Sequence, residues 1–150
     1  MEEKKYKVGL LMGVFDLFHV GHLNLIKRAK EKCEYLRVDI LSDDLVMQFK
    51  GIYPTIPAEE RKAILEAIRY VDEVVILETS PSRIEEWHKR PFDCFFSGDD
   101  YAGNEYWAWE KQELRKLGSD IYFFPYTQSQ SSSKIREALK EKAQKEEYHD

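Results

Sequence analysis

At residues 10–29 the chain reads LLMGVFDLFHVGHLNLIKRA: an apolar run, then two glycines, an aspartate and two histidines, then apolar positions at helical spacing. Extended upstream, YKVGLLM (6–12) suits a buried strand, and LNLIKRAKEK (23–32) suits an amphipathic helix. The stretch is therefore one β-α unit with its chemistry at the seam.

The same alternation continues to the far end. YLRVDIL (35–41) reads as a second strand, and Pro57, Glu59 and Glu60 open a helix over 58–71. EVVIL (73–77), FDCFFS (92–97) and DIYFF (120–124) complete five strands. Helices are predicted over 80–89, over 105–118 with Gly118 as the stop, and over 131–144. Strands separated by helices call for a parallel sheet with right-handed crossovers. The expectation is a doubly wound, Rossmann-like α/β fold: a five-stranded parallel sheet with helices on both faces, one domain over 1–150, and a charged tail from about 140 to 150.

Composition sets limits on function. A 150-residue chain can bury roughly 70% of its unfolded surface without staples. No apolar run approaches the roughly 20 residues of a membrane span, and the start MEEKKYK has no secretory pattern, so a cytoplasmic protein that binds no membrane is expected. Cys33 and Cys94 stand far apart without a C-x-x-C pattern, which argues against a disulfide framework or zinc ribbon. A net charge of −5 does not attract nucleic acid, so any polyanionic ligand must meet a local basic cluster.

In such a sheet ligands bind beyond the carboxyl ends of the strands. The segments found there are GVFDLFHVGH, SDD, GDDY and PYTQSQSSSK, which share glycine and polar character and mark one rim as the site. Gly13 permits a sharp turn, and Gly21 lets a bulky ligand approach the backbone. His19 and His22, three apart at a helix start, can face one side near N–H groups that attract anions, so a phosphate fits there. Packing and capping alone is the plainer role for the pair. Metal ligation is not expected, because His88 and His149 have no ligand-like spacing to it.

Gly13-Val14-Phe15-Asp16-Leu17-Phe18-His19-Val20-Gly21-His22 resembles the H-x-G-H signature of the nucleotidylyltransferase superfamily, and within it the cytidylyltransferases that act on phosphorylated alcohols. The likeness runs from about Val8 to Leu139, through Phe49-Lys50-Gly51, Glu60-Arg61, the phrase RYVDEV (69–74), Gly98-Asp99-Asp100 and the closing SSSKIR (131–136). It is strongest to the enzymes that use glycerol 3-phosphate. The resemblance implies transfer of CMP from CTP to a phosphomonoester, release of pyrophosphate, Mg²⁺ carried with the nucleotide, and a homodimer. It also implies roles: His19 and His22 stabilise transition-state charge, and Lys50, Arg61 and Arg69 face the phosphates. Gly13, Val14, Phe15, Gly21, Asp99, Asp100, Tyr126, Thr127, Ser131, Ser132 and Ser133 would bind nucleotide, and Asp16, Lys50 and Arg83 the second substrate. Plainer readings stand beside these: an exposed helix face for Arg61, Arg69 and Arg83, and an Asx turn for Asp99 and Asp100.

Two departures bear on specificity. The family loop usually reads R-T-E-G-I-S-T-T, whereas here it is YTQSQSSS (126–133), with Tyr126 in place of arginine. A triple-serine ending also resembles adenylyltransferases, so ATP with a sugar phosphate is the alternative pair. Tyr101, Tyr106, Trp107 and Trp109 suggest either an aromatic cage for a quaternary ammonium, as in phosphocholine, or core contacts. Asp39 beside Arg37 in a buried strand suits a buried pair or a substrate contact. A nucleotide-binding regulatory module is the non-enzymatic alternative.

Overall fold

The computed structural model describes residues 4–98, 104–125 and 138–142. In chain order the elements are β1 (Tyr6–Gly13), α1 (Val20–Lys32), β2 (Cys33–Leu41), α2 (Asp43–Lys50), α3 (Ala58–Glu66), β3 (Glu73–Leu77), α4 (Arg83–Lys89), β4 (Cys94–Gly98), α5 (Glu105–Lys116) and β5 (Ile121–Phe124). Residues 138–142 are also helical.

The strands form one sheet in the order β3-β2-β1-β4-β5, and every neighbouring pair is parallel. The chain winds outward from β1 to β3, then crosses back and winds the other way through β4 and β5. The reversal falls beside β1, which puts the seam at residues 13–22 at the topological switch point. The expected α/β architecture is thus present.

Burial on both faces explains why β1 reads as an unbroken apolar run. Leu11 packs with Ile26, Ala29, Leu36, Val38, Ile40, Leu65 and Phe96 beneath α1 and α3. Leu10 faces the other way, into Phe92, Phe95, Leu114 and Ile121 beneath α4 and α5. Gly9 is dictated by closeness: a Cβ there would fall 2.5 Å from the Phe96 ring and 2.7 Å from the Cys33 sulfur. Both cysteines are free and buried, and burial pushes the Cys33 thiol up to about 11.

The elements differ from expectation at several ends. The segment after β2 was not expected to be helical, yet α2 forms there. Ser42 caps it by accepting from the Leu45 N–H, Asp43 and Asp44 occupy its first turn, Lys50 its last, and Gly51 closes it at φ 76°. Helix α3 stops at Glu66 rather than at 71, because Ala67, Ile68 and Val71 bond three residues back and tighten the chain into turns. Helix α1 starts at Val20 and runs directly into β2 at Cys33. Among the described residues no helix is long and apolar enough to cross a membrane.

Candidate active site

Between β1 and α1 the chain turns through two non-glycine residues in the left-handed region, Phe15 at φ 54° and Leu17 at φ 50°. Such backbone costs about 1–3 kcal/mol per residue and persists only where the surroundings over-determine it. Here the Asp16 carboxylate, 2% exposed, accepts N–H groups from Leu17 (3.1 Å), Thr55 (2.7 Å) and Ile56 (2.9 Å). The Arg61 guanidinium, on α3, donates to the Val14 carbonyl at 2.8 Å, and the Phe15 ring is buried against the His22 ring. Gly13 is not itself the turn. A Cβ there would lie 3.2 Å from the Phe15 ring, so Gly13 makes room for that side chain.

This loop delivers the two histidines. His19 is the N-cap of α1, and its Nδ1 accepts the Gly21 N–H at 3.0 Å. His22 Nδ1 in turn accepts the His19 N–H at 3.4 Å, forming a reciprocal capping box in which imidazoles replace the usual hydroxyl and carboxylate. The rings stack with centroids 3.9 Å apart. Because each Nδ1 is occupied as an acceptor, the proton of each neutral ring belongs on Nε2. Burial lowers the pKa of both groups. For His22 it falls to about 4, through burial first and the neighbouring His19 second, with Asp16 partly opposing. At neutral pH the pair is therefore two uncharged Nε2–H donors at a helix N-terminus, and His19 Nε2 is buried with no hydrogen-bond partner among the described residues.

The remaining candidate residues fall into distinct places. Lys50 is exposed on the last turn of α2, at the head of the segment that Asp16 pins at Thr55 and Ile56. Asp16 itself is sealed by backbone amides, which corrects its expected contact with a second substrate. Arg61 is also corrected. It is 1% exposed, and besides Val14 it serves the Ile56 carbonyl (2.8 Å) and Asp43 (2.7 Å), so its guanidinium braces the rim instead of facing an open phosphate site.

Arg69 lies at the opposite edge of the sheet. Its turn leads into the start of β3, where Asp72 pairs with Lys30 at the end of α1, and α1 is about 20 Å long. Arg69, expected to face the phosphates, donates there to the Tyr70 hydroxyl at 2.7 Å.

Arg83 is corrected too. It makes a bidentate pair with the fully buried Glu110, with Nη2–Oε2 at 2.8 Å, and stacks 4.1 Å from the Trp107 ring centre. The aromatic segment thus already holds a cation of this chain's own. Tyr106 and Trp109 are exposed. Val14 packs its side chain toward α2, and Gly21 spends its N–H on His19. Asp99, Asp100, Tyr101, Tyr126, Thr127, Ser131, Ser132 and Ser133 lie outside the described residues.

Asp39 forms a buried pair with Arg37 (Nε–Oδ1 3.2 Å), under α4. Asp43 was not singled out in the sequence. It joins the rim by accepting from both Arg61 and the Ala58 N–H, and the Ser-Asp-Asp string ahead of an apolar run was its available signal.

Residues 10–138 match the family model described as Cytidylyltransferase-like. A glycerol-3-phosphate cytidylyltransferase of Bacillus subtilis is 36% identical over 85% of this chain and 92% of its own length. An FAD synthase of Thermococcus kodakarensis is 37% identical over 93% of this chain and 94% of its own. Among solved structures, a lipopolysaccharide core biosynthesis protein of Thermoplasma volcanium superposes with a TM-score of 0.68 at 21% identity, over 83% of this chain and 99% of that one, a likeness of fold.

Proposed function

The chain belongs to the cytidylyltransferase-like family of nucleotidyltransferases, and from that premise we propose that it transfers CMP from CTP to a phosphorylated alcohol resembling glycerol 3-phosphate. An oxygen of the acceptor phosphate attacks the α-phosphorus of the nucleotide; the new O–P bond forms as the bond to the β-phosphate oxygen breaks, and pyrophosphate leaves. No covalent enzyme intermediate is needed, so positioning and charge stabilisation carry the catalysis.

The observation that carries this reading is the locked histidine pair. Two neutral Nε2–H donors at the start of α1 can bond phosphate oxygens as charge builds on them, and one such donor is worth about 10²–10³ in rate. Lys50 supplies positive charge at the same rim. Mg²⁺ suits delivery on the nucleotide's own phosphates, which it prefers to an all-protein cage.

A second reading is adenylyl transfer, favoured by the FAD synthase of comparable identity, since FAD carries an adenylyl unit. Pyrophosphate release, assayed with CTP and ATP against glycerol 3-phosphate, phosphocholine, sugar phosphates and FMN, decides between them. Turnover is expected with CTP and glycerol 3-phosphate. Turnover with ATP and FMN alone transfers the assignment to the second reading, and tight nucleotide binding without turnover on any pair overturns both.

A further inference from the structure

We propose that Asp16 is a positioning residue that acts through Lys50, by latching to the histidine loop the strap that follows Lys50. The inference rests on the phosphate-binding role given to this rim above. Asp16 stands three residues before His19, between the two left-handed residues of the loop, where it accepts the Leu17 N–H. It also accepts N–H groups 39 and 40 residues along the chain, from Thr55 and Ile56.

Those two amides end a short strap. It begins at Gly51, which closes α2 directly after Lys50 at φ 76° with its N–H on the Met47 carbonyl, and it ends at Pro57, the N-cap of α3. Between Gly51 and the latch Ile52 and Tyr53 are 55% and 57% exposed, so they give the strap little packing against the core. On its far side the strap is braced at Ile56 by Arg61, and α3's first turn is fixed by Asp43. The strap that follows Lys50 is therefore tied to the histidine loop by the buried Asp16 carboxylate and to α3 by Arg61. Two oxygens serve three N–H groups, so an amide cannot replace the acid: one of its ends would set an NH₂ against a backbone N–H.

A double-mutant cycle separates action through Lys50 from general support of the fold. The affinity of inorganic triphosphate is measured by calorimetry on the whole chain as wild type, Asp16→Asn, Lys50→Met and the double variant. Each single change is expected to weaken binding about tenfold, and the double variant to bind within about twofold of Lys50→Met. Losses that multiply, or an unchanged affinity in Asp16→Asn, overturn the proposal.

Amide hydrogen exchange reads the latch without ligand. Thr55 and Ile56 are expected to exchange at least about tenfold faster in Asp16→Asn while Leu36 and Val38 in β2 keep their wild-type rates. Equal exchange at Thr55 and Ile56 overturns the latch. A wild type that binds no triphosphate overturns the function proposed above, and the exchange result still decides the latch. If Asp16→Asn does not fold, Asp43→Asn, which loosens the strap from its other end, must show the same non-additivity with Lys50→Met, and additive losses there overturn the proposal.

Discussion

At the histidine rim the buried charges, Asp16 and Arg61, are satisfied mainly by backbone N–H and carbonyl groups, whereas beneath α4 and α5 the buried charges are satisfied largely by one another. Arg83 pairs with Glu110, Arg37 with Asp39, and Arg90 with Glu86. Backbone partners fix the path of the chain, so the rim's charges can hold Phe15 and Leu17 in costly conformations. Side-chain partners leave the path of the chain to other forces. Arg83–Glu110 joins α4 to α5, Arg37–Asp39 lies within β2 and Arg90–Glu86 within one turn at the end of α4, and β2 is tied to that turn by a backbone contact, Arg37 to the Arg90 carbonyl at 3.0 Å. The first region shapes a site; the second holds layers together.

The contrast can be broken at four points of decreasing size. Arg83→Met leaves Glu110 charged, buried and unpaired, and should cost about 3–5 kcal/mol in urea unfolding; adding Glu110→Leu should recover most of that, because a mutual pair can be removed whole. At the rim, Arg61→Met has no such rescue, since its partners include main-chain carbonyls that cannot be mutated away; recovery by Asp43→Leu would erase the distinction.

Next in size, His19→Ala or His22→Ala should reduce turnover by about 10²–10³, equivalent to about 2.7–4 kcal/mol, while leaving the α4–α5 pairing untouched. An unchanged rate in steady-state kinetics removes the role assigned to them.

The third point is pH, where the two regions pull in opposite directions. His22 has a folded pKa lowered to about 4 from 6.5, so its contribution is present above 6.5 and is lost as pH falls through about 4. Asp39 has a folded pKa raised from 3.8 to about 8, through burial first and its hydrogen bond with Glu86 second, so its contribution is full below 3.8 and is lost as pH rises through about 8. Between about pH 4 and 6.5, His22→Asn should flatten the rise of stability with pH, and Asp39→Asn should steepen it. Thermal melts across that window check both signs.

The smallest effect is conformational. Leu17→Gly should be neutral or stabilising by about 1 kcal/mol, because glycine accepts φ 50° freely, whereas Gly51→Ala should cost about that much at φ 76°. A Leu17→Gly variant that loses more than this means that the leucine side chain, not the latch, holds the loop.

Much of this was legible in the sequence, and what was not has particular causes. Strand–helix alternation survives in hydropathy because every layer of a doubly wound sheet must bury a face, and the histidine pair survives because its spacing and its glycines are local. Arg61 was not legible: Glu-Glu-Arg-Lys on a helix reads as a solvated face, and only the folded chain shows its third residue turned under the rim toward Val14. Arg69 misled for a topological reason. A helix that runs antiparallel to its strands carries its last turn to the other edge, and sequence proximity to Arg61 conceals that. Asp39 was ambiguous because Arg37 neighbours it in β2 and is visible in the sequence, whereas Glu86, its other partner, comes from α4.

The join between α1 and β2 has a mechanical consequence. Lys32 ends the helix and Cys33 begins the strand, whose first N–H is still spent on the Lys30 carbonyl. With no slack residue, the helix is a rod welded to the sheet. One inserted residue at the weld would have to turn the rod by about 100°, swinging both imidazoles off the seam, or slip the strand so that Leu36, Val38 and Ile40 face the wrong layer. The imidazoles are thus aimed by the whole length of α1 and its junction with the sheet.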